Sequence, residues 1–313
     1  MRPAVGASFV LASLALAARP LPAQAPAPTQ TPLKPFTVEV DVDVVSVTAV
    51  VFDKSGHFVR GLGPKDVTLL EDGVGQEVSY FREASSAAEE RVPLSVVLVL
   101  DTSGSMSQNM HFLQEAVLSF VYKMEEVDTA LVVSFNESVK GSAEFTGDVD
   151  RLERFVEGLQ AWGATSLYDA IQYSLGRIKD QPGRKAIIVF SDGADNTSTL
   201  ADREVVDYAR AVEATVYAIG FKGQGAFGSP RGFLRKIASE TGGQFFAPDR
   251  VGDLIKVFNE ISNELKNHYL LAYSPKRPSD GTWRQIQLTI SRPGTEVRVR
   301  KGYFAVKRRR AAR

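Results

Sequence analysis

Leu94-Ser95-Val96-Val97-Leu98-Val99-Leu100 runs directly into Asp101-Thr102-Ser103-Gly104-Ser105, and the junction between the two decides how the rest of the chain is read. Leucine and β-branched residues without polar alternation describe a strand covered on both faces, as in the middle of a parallel sheet. Such a strand here ends in one carboxylate and two hydroxyls within five residues, separated by small residues on a tight loop. Their oxygens can converge on one point, and hard oxygen ligands at close quarters are what a magnesium-sized cation requires. Taken alone, Asp101, Ser103 and Gly104 could equally form an Asx or Ser/Thr turn that caps the following helix.

Two further segments weigh toward the cation. Gly163-Ala164-Thr165-Ser166-Leu167-Tyr168-Asp169 offers a threonine hydroxyl at the mouth of a helix, and Ile187-Ile188-Val189-Phe190 is a second apolar strand, ending in Ser191-Asp192-Gly193. In open α/β sheets, binding sites form outside the carboxyl ends of the strands. The first and third segments sit there, and the second can fold between them. Together they resemble the von Willebrand factor type A (VWA) domain and its metal-ion-dependent adhesion site. That family's pattern is Asp-x-Ser-x-Ser, a distant threonine, then an aspartate after a later strand. It maps onto Asp101, Ser103, Ser105, Thr165 and Asp192 with every position filled. The resemblance implies that Ser103, Ser105 and Thr165 bind a divalent ion directly, with Asp101 and Asp192 acting partly through water. It also implies a coordination position open to a partner's carboxylate. Mg2+ is the first choice of ion, with Ca2+ and Mn2+ as alternatives.

The 313 residues allow two domains, and 44% hydrophobic with 24% charged residues is ordinary for a globular protein. Cysteine is absent, which excludes disulfides, thiolate metal sites, a cysteine nucleophile and lipid attachment through a lipobox. Arg2, a short apolar stretch over residues 5–18 and Ala23-Gln24-Ala25 read as a secretory signal peptide over residues 1–25. No other stretch approaches the ~20 apolar residues of a membrane span. The expectation is an exported protein, periplasmic or extracellular, with no stable membrane span after cleavage. Without the leader's two arginines and the five cations of the tail at residues 307–313, 30 basic residues face 37 acidic ones. An acidic body is not one that binds nucleic acid through counterion release. The basic tail reads as a solvated end.

Residues 26–35 are proline-rich and read as an extended spacer. Apolar residues then alternate from Phe36 to Val44 and, shifted in phase, from Val45 to Val51, which predicts a strand with a bulge or bend at the slip. Short strands over residues 67–70 and 78–81 follow, with Glu71-Asp72-Gly73 read as a turn; residues 83–91 look like a linker. From residue 92 strands alternate with helices: strands at 130–135, 185–190, 215–221 and near 244–246, and helices from 110, at 148–158, from 166, at 200–214, 232–241 and 253–267. In the third of these helices Asp169 is expected to complete an N-terminal box with Ser166. Such alternation gives a doubly wound, mainly parallel sheet of the VWA/Rossmann-like kind over residues 92–267. Residues 269–273, 283–290 and 296–303 return to β character, a piece too short to bury a core unaided. The α/β domain is therefore expected to be inserted in a small β-sandwich built from residues 36–82 and 268–306. This layout resembles the VWA-related proteins catalogued chiefly from Acidobacteria, the echo lying in Val59-Arg60-Gly61-Leu62, in Val67-Thr68-Leu69-Leu70-Glu71-Asp72-Gly73 and in His268-Tyr269-Leu270-Leu271-Ala272-Tyr273.

Weaker signals remain. Gly223-Gln224-Gly225-Ala226-Phe227-Gly228 fits GxGxxG, but Ser229-Pro230-Arg231 separates it from the next helix, so a loop is the better reading than a dinucleotide site. Of the three histidines, only His111 lies near the metal loop; its place one step off the apolar face makes it a surface residue. Asp195 reads as an Asx turn, with a water-bridged second contact to the ion as the sharper alternative. No complete catalytic constellation appears, so the chain reads as a non-enzymatic adhesion or interaction module that binds a protein partner's carboxylate through the ion. The alternatives are a metal-dependent hydrolase or phosphoryl-transfer enzyme, with His111 as its base, and a structural envelope or assembly subunit.

Overall fold

A computed structural model describes residues 44–84, 92–192, 195–221 and 231–306. The expected leader, spacer, basic tail and GxGxxG loop, most of the linker at 83–91 and the strand before Val44 lie outside those residues. Four strands come first: β1 (Val45–Asp53), β2 (Val67–Glu71), β3 (Val74–Gln76) and β4 (Val78–Glu83). The alternating region holds β5 (Leu94–Asp101), α1 (Met110–Val121), β6 (Thr129–Phe135), β7 (Val139–Gly141), α2 (Val149–Glu157), α3 (Leu167–Ile178), β8 (Arg184–Ser191), α4 (Asp202–Ala211), β9 (Thr215–Gly220), α5 (Arg231–Thr241), β10 (Phe245–Phe246) and α6 (Leu254–Lys266). Four more strands follow: β11 (Tyr269–Tyr273), β12 (Trp283–Ile290), β13 (Thr295–Arg298) and β14 (Gly302–Phe304).

All eight residues of β5 are buried, as the unalternating run requires. Its side chains divide between two cores. Val96, Leu98 and Leu100 pack with the apolar faces of α1, α2 and α6, while Val97 and Val99 pack with those of α3, α4 and α5. The six-stranded sheet runs β10-β9-β8-β5-β6-β7, parallel except for β7, an antiparallel edge strand that the sequence reading did not anticipate. The order reverses at β5, which has β6 on one side and β8 on the other. The crevice of a doubly wound sheet opens at such a reversal, beyond the carboxyl ends of the strands, and here that means the ends of β5 and β8.

The outer strands form two antiparallel sheets, β13-β1-β11-β4 and β14-β12-β2-β3, each mixing strands from before and after the α/β region. Val45, Val47, Ala49 and Val51 of β1 face Leu69, Ile286, Leu288 and Tyr303 across one core, so the β-sandwich expected from both ends is present. Two expectations are corrected here. The apolar stretch at 296–303 is not one strand: it splits into β13 and β14, which belong to different sheets. Glu71 is not a turn residue. It ends β2 buried in the sandwich, where its carboxylate accepts from Arg284 Nη1 at 3.0 Å and from the Tyr273 and Tyr303 hydroxyls at 2.7 Å each. A buried carboxylate needs such partners, and all three come from strands after the α/β region. Burial and the Glu71 carboxylate push the Tyr303 hydroxyl up to about 12, which keeps it a proton donor.

Candidate metal centre

Asp101, the last residue of β5, is fully buried. Its carboxylate accepts from the Ser103 amide at 2.9 Å on one oxygen and from the Ser191 hydroxyl of β8 at 2.7 Å on the other. The Ser103 and Ser105 hydroxyls lie 3.0 Å apart, and Ser105 Oγ donates to Asp192 Oδ1 at 2.7 Å. The ends of β5 and β8 are thus joined through the four residues Asp101, Ser103, Ser105 and Asp192. Asp101 also closes an Asx-type turn on Ser103, but neither Ser103 nor Asn109 at the start of α1 makes a side-chain capping bond, so the turn does not serve as the helix cap that was the alternative.

Thr165 arrives by a different route. Gly104 N donates to Gly163 O at 2.9 Å, and Trp162 N donates to Thr102 O at 2.9 Å, which lays the 162–165 segment along the serine loop. A Cβ at Gly104 would lie 3.4 Å from the Gly163 oxygen, so the two loops run in van der Waals contact there. Gly163 itself has φ +76, in the left-handed region that glycine favours. Thr165 is buried, its amide donates to Asn196 Oδ1 at 2.9 Å, and its carbonyl accepts from the Asn196 and Thr197 amides. Among the described residues its hydroxyl has no hydrogen-bond partner, and no hydrogen bond joins Thr165 directly to the other four residues.

Burial dominates the electrostatics of the two carboxyls. Asp101 is pushed up to about 6 by desolvation, opposed by hydrogen bonds from Ser103 and Ser191 and reinforced slightly by Asp192. Asp192 is also raised by burial, against the pull of the Ser105 hydroxyl. Among the described residues its Oδ2 is buried without a hydrogen-bond partner. An orphaned buried carboxylate oxygen is costly unless a cation or a donor satisfies it. Hydroxyls from Ser103 and Ser105, two carboxylates and a nearby unengaged threonine hydroxyl form an all-oxygen donor set, and that set suits a hard divalent ion.

Several neighbours were not foreseen as parts of this arrangement. Asn196 holds Thr165 from both sides, its side chain accepting from the Thr165 amide and its own amide donating to the Thr165 carbonyl. Asp195 accepts from the amides of Tyr168 at 2.9 Å and Ser198 at 3.1 Å, so its carboxylate caps α3 and closes its own turn, in line with the Asx reading. The expected box at Ser166 is corrected. Ser166 gives its hydroxyl to Asn136 O, and Asp169 turns to the Thr199 and Leu200 amides, because the loop after β8 supplies the caps instead. His111 is exposed on α1 with its ring tilted against Phe112 at 5.8 Å.

The sequence model of the von Willebrand factor type A domain matches residues 96–194, the span that contains all five site residues. The chain carries a von Willebrand factor type A domain. Among curated relatives, inter-alpha-trypsin inhibitor heavy chain H4 of Sus scrofa is 25% identical over 61% of this chain and 22% of its own length. An uncharacterized protein of Synechocystis is 24% identical over 67% of this chain and 50% of its own length. The chain therefore spans about a fifth and half of those two proteins. Among solved structures, a von Willebrand factor type A protein from Catenulispora acidiphila superposes with a TM-score of 0.51 at 14% identity, covering 83% of this chain and 72% of the other. Proximal thread matrix protein 1 of the mussel byssus gives 0.50 at 16% identity, covering 59% and 49%. At such identities the structural likenesses speak for the type A fold. Among the described residues no helix is long and apolar enough to cross a membrane.

Proposed function

We propose that this chain is an exported binding module whose type A domain, taken as residues 92–267, grips an acidic side chain of a protein partner through a divalent cation, Mg2+ by preference. Type A domains are typically adhesion or protein-interaction modules, and the leader-like N-terminus supports export. One observation carries the metal reading: the orphaned, buried Oδ2 of Asp192, set beside the linked hydroxyls of Ser103 and Ser105. Ser103, Ser105 and Thr165 would hold the ion directly, and Asp101 and Asp192 would balance its charge, partly through water. The ion would supply a positive centre for a partner's carboxylate. The chain's own part is to fix the oxygens: Ser191 orients Asp101, Asn196 fixes the Thr165 backbone, and Gly104 brings the two loops together.

Isothermal titration of the metal-free protein with MgCl2 tests this. Wild type is expected to take up the ion and Asp192→Asn to lose at least tenfold in affinity, with a thermal upshift in Mg2+ that EDTA reverses. No uptake by wild type, or equal uptake by Asp192→Asn and Asp101→Ala, would overturn the reading.

A further inference from the structure

Thr102 lies between Asp101 and Ser103, and Ser166 follows Thr165; both are buried. Each hydroxyl bonds to the end of β6. Thr102 Oγ1 donates to Phe135 O at 3.0 Å, and the Thr102 amide donates to the same oxygen at 2.7 Å. Ser166 repeats the arrangement one residue along: its Oγ donates to Asn136 O at 2.5 Å and its amide to that oxygen at 2.8 Å. Ser166 is the residue before α3, yet its side chain makes no capping bond there. Phe135 ends β6 and pairs with Asp101 across the sheet. Asn136 is buried and fixed in turn, its amide donating to Ser138 O at 3.0 Å and its Oδ1 accepting from the Ser138 amide at 2.9 Å. The two acceptor carbonyls belong to consecutive residues, so one planar peptide unit separates them. The serine loop and the threonine loop are thereby pinned, by two bonds each, to adjacent points on one strand.

We infer that Thr102 and Ser166 are positioning residues that set the size of ion the site accepts. By fixing the span between the Ser103 and Ser105 hydroxyls and that of Thr165, they favour Mg2+ over Ca2+. The inference rests on the divalent-ion reading above. Mg2+ demands near-octahedral oxygens at about 2.0–2.1 Å, whereas Ca2+ tolerates a looser shell at about 2.3–2.6 Å. Choice between the two therefore depends on how rigidly the oxygens are held. Neither anchoring hydroxyl adds charge or a ligand, so removing one changes only that rigidity. The backbone bonds of both residues survive a change of side chain, which loosens the loops without unpinning them.

Isothermal titration of the metal-free protein with MgCl2 and, separately, with CaCl2 tests it in wild type, Thr102→Val and Ser166→Ala. Wild type is expected to prefer Mg2+. Each variant should lose about tenfold in Mg2+ affinity, the net worth of one hydrogen bond. Ca2+ affinity should stay within about threefold of wild type, so the preference shrinks. Thr102→Ser and Ser166→Thr keep a hydroxyl and should keep the preference. In EDTA, amide hydrogen exchange should quicken over residues 102–105 and 163–166 of the two variants and stay at wild-type rates in β5 and β8. Should one variant fail to fold, the other carries the comparison against its hydroxyl-bearing counterpart. An unchanged Mg2+ to Ca2+ preference, whether both affinities fall together or neither falls, would overturn the inference and leave the ion site standing. Unchanged exchange in the two loops, or a wild type that prefers Ca2+, would do the same. Uptake of neither ion by wild type would overturn the ion reading and this inference with it.

Discussion

Arg284 is wholly buried, and its guanidinium meets Glu71 Oε1 at 3.0 Å and the carbonyl of Arg277 at 3.0 Å. Removing one partner of a buried pair leaves the other charge stranded, which costs about 3–5 kcal/mol. Arg284→Met is therefore expected to lower stability by that amount in urea titrations. Adding Glu71→Gln should recover much of the loss, because the stranded charge is gone. His268 behaves differently. Burial, with Arg184 Nη1 only 3.4 Å from its Nδ1, lowers its pKa from 6.5 to about 3. The unfolded chain then binds a proton that the folded chain refuses, so stability is full above about pH 6.5 and falls as the pH drops toward 3. Between pH 7 and 5 the loss is about 2 kcal/mol. His268→Phe should remove it, which the difference between the two proteins' urea midpoints at each pH will show.

At the scale of elements, α3 depends on a loop distant in sequence. Its first amides are satisfied by Asp195 and Ser198, not by its own N-cap side chain. Asp195→Ala is expected to cost about 1 kcal/mol, the usual worth of a cap. It should also weaken Mg2+ uptake, since the same loop carries Asn196 and hence Thr165; titration calorimetry would reveal either part failing. This dependence also marks what could be read from sequence. The β5 run and the Asp101, Ser103, Ser105 triplet were legible because burial on both faces and crowded oxygens leave a local signature. Glu71 and Asn196 were not, because each owes its role to partners far along the chain. Glu71 in Glu71-Asp72-Gly73 looks like any turn acid until Arg284 and two tyrosines close on it. The division of 295–304 between two sheets was equally hidden, for apolar alternation fixes which residues face inward and not which sheet a strand joins.

For the whole molecule, the decisive fact is that the strands paired with β1 among the described residues are β11 and β13, which the chain supplies about 220 to 250 residues later. A protein ending at residue 267 would leave Val45, Val47, Ala49 and Val51 uncovered, and is expected to bind a hydrophobic dye and to be cleaved early in residues 44–84. Residues 92–267 alone retain both cores of the six-stranded sheet and should resist the same protease. Equal resistance of the two truncated chains would contradict this account of the sandwich.

The register of β4 against β11 sets Glu83 opposite Tyr269, so the α/β layer departs from the sandwich and returns to it at neighbouring points. Tension applied between residues 44 and 306 is consequently transmitted from strand to strand within the sandwich, around the inserted layer. The face formed by the ends of β5 and β8 would keep its shape under a pull that already strains the strands beneath it, and would feel that pull only after β1 had been torn from its neighbours.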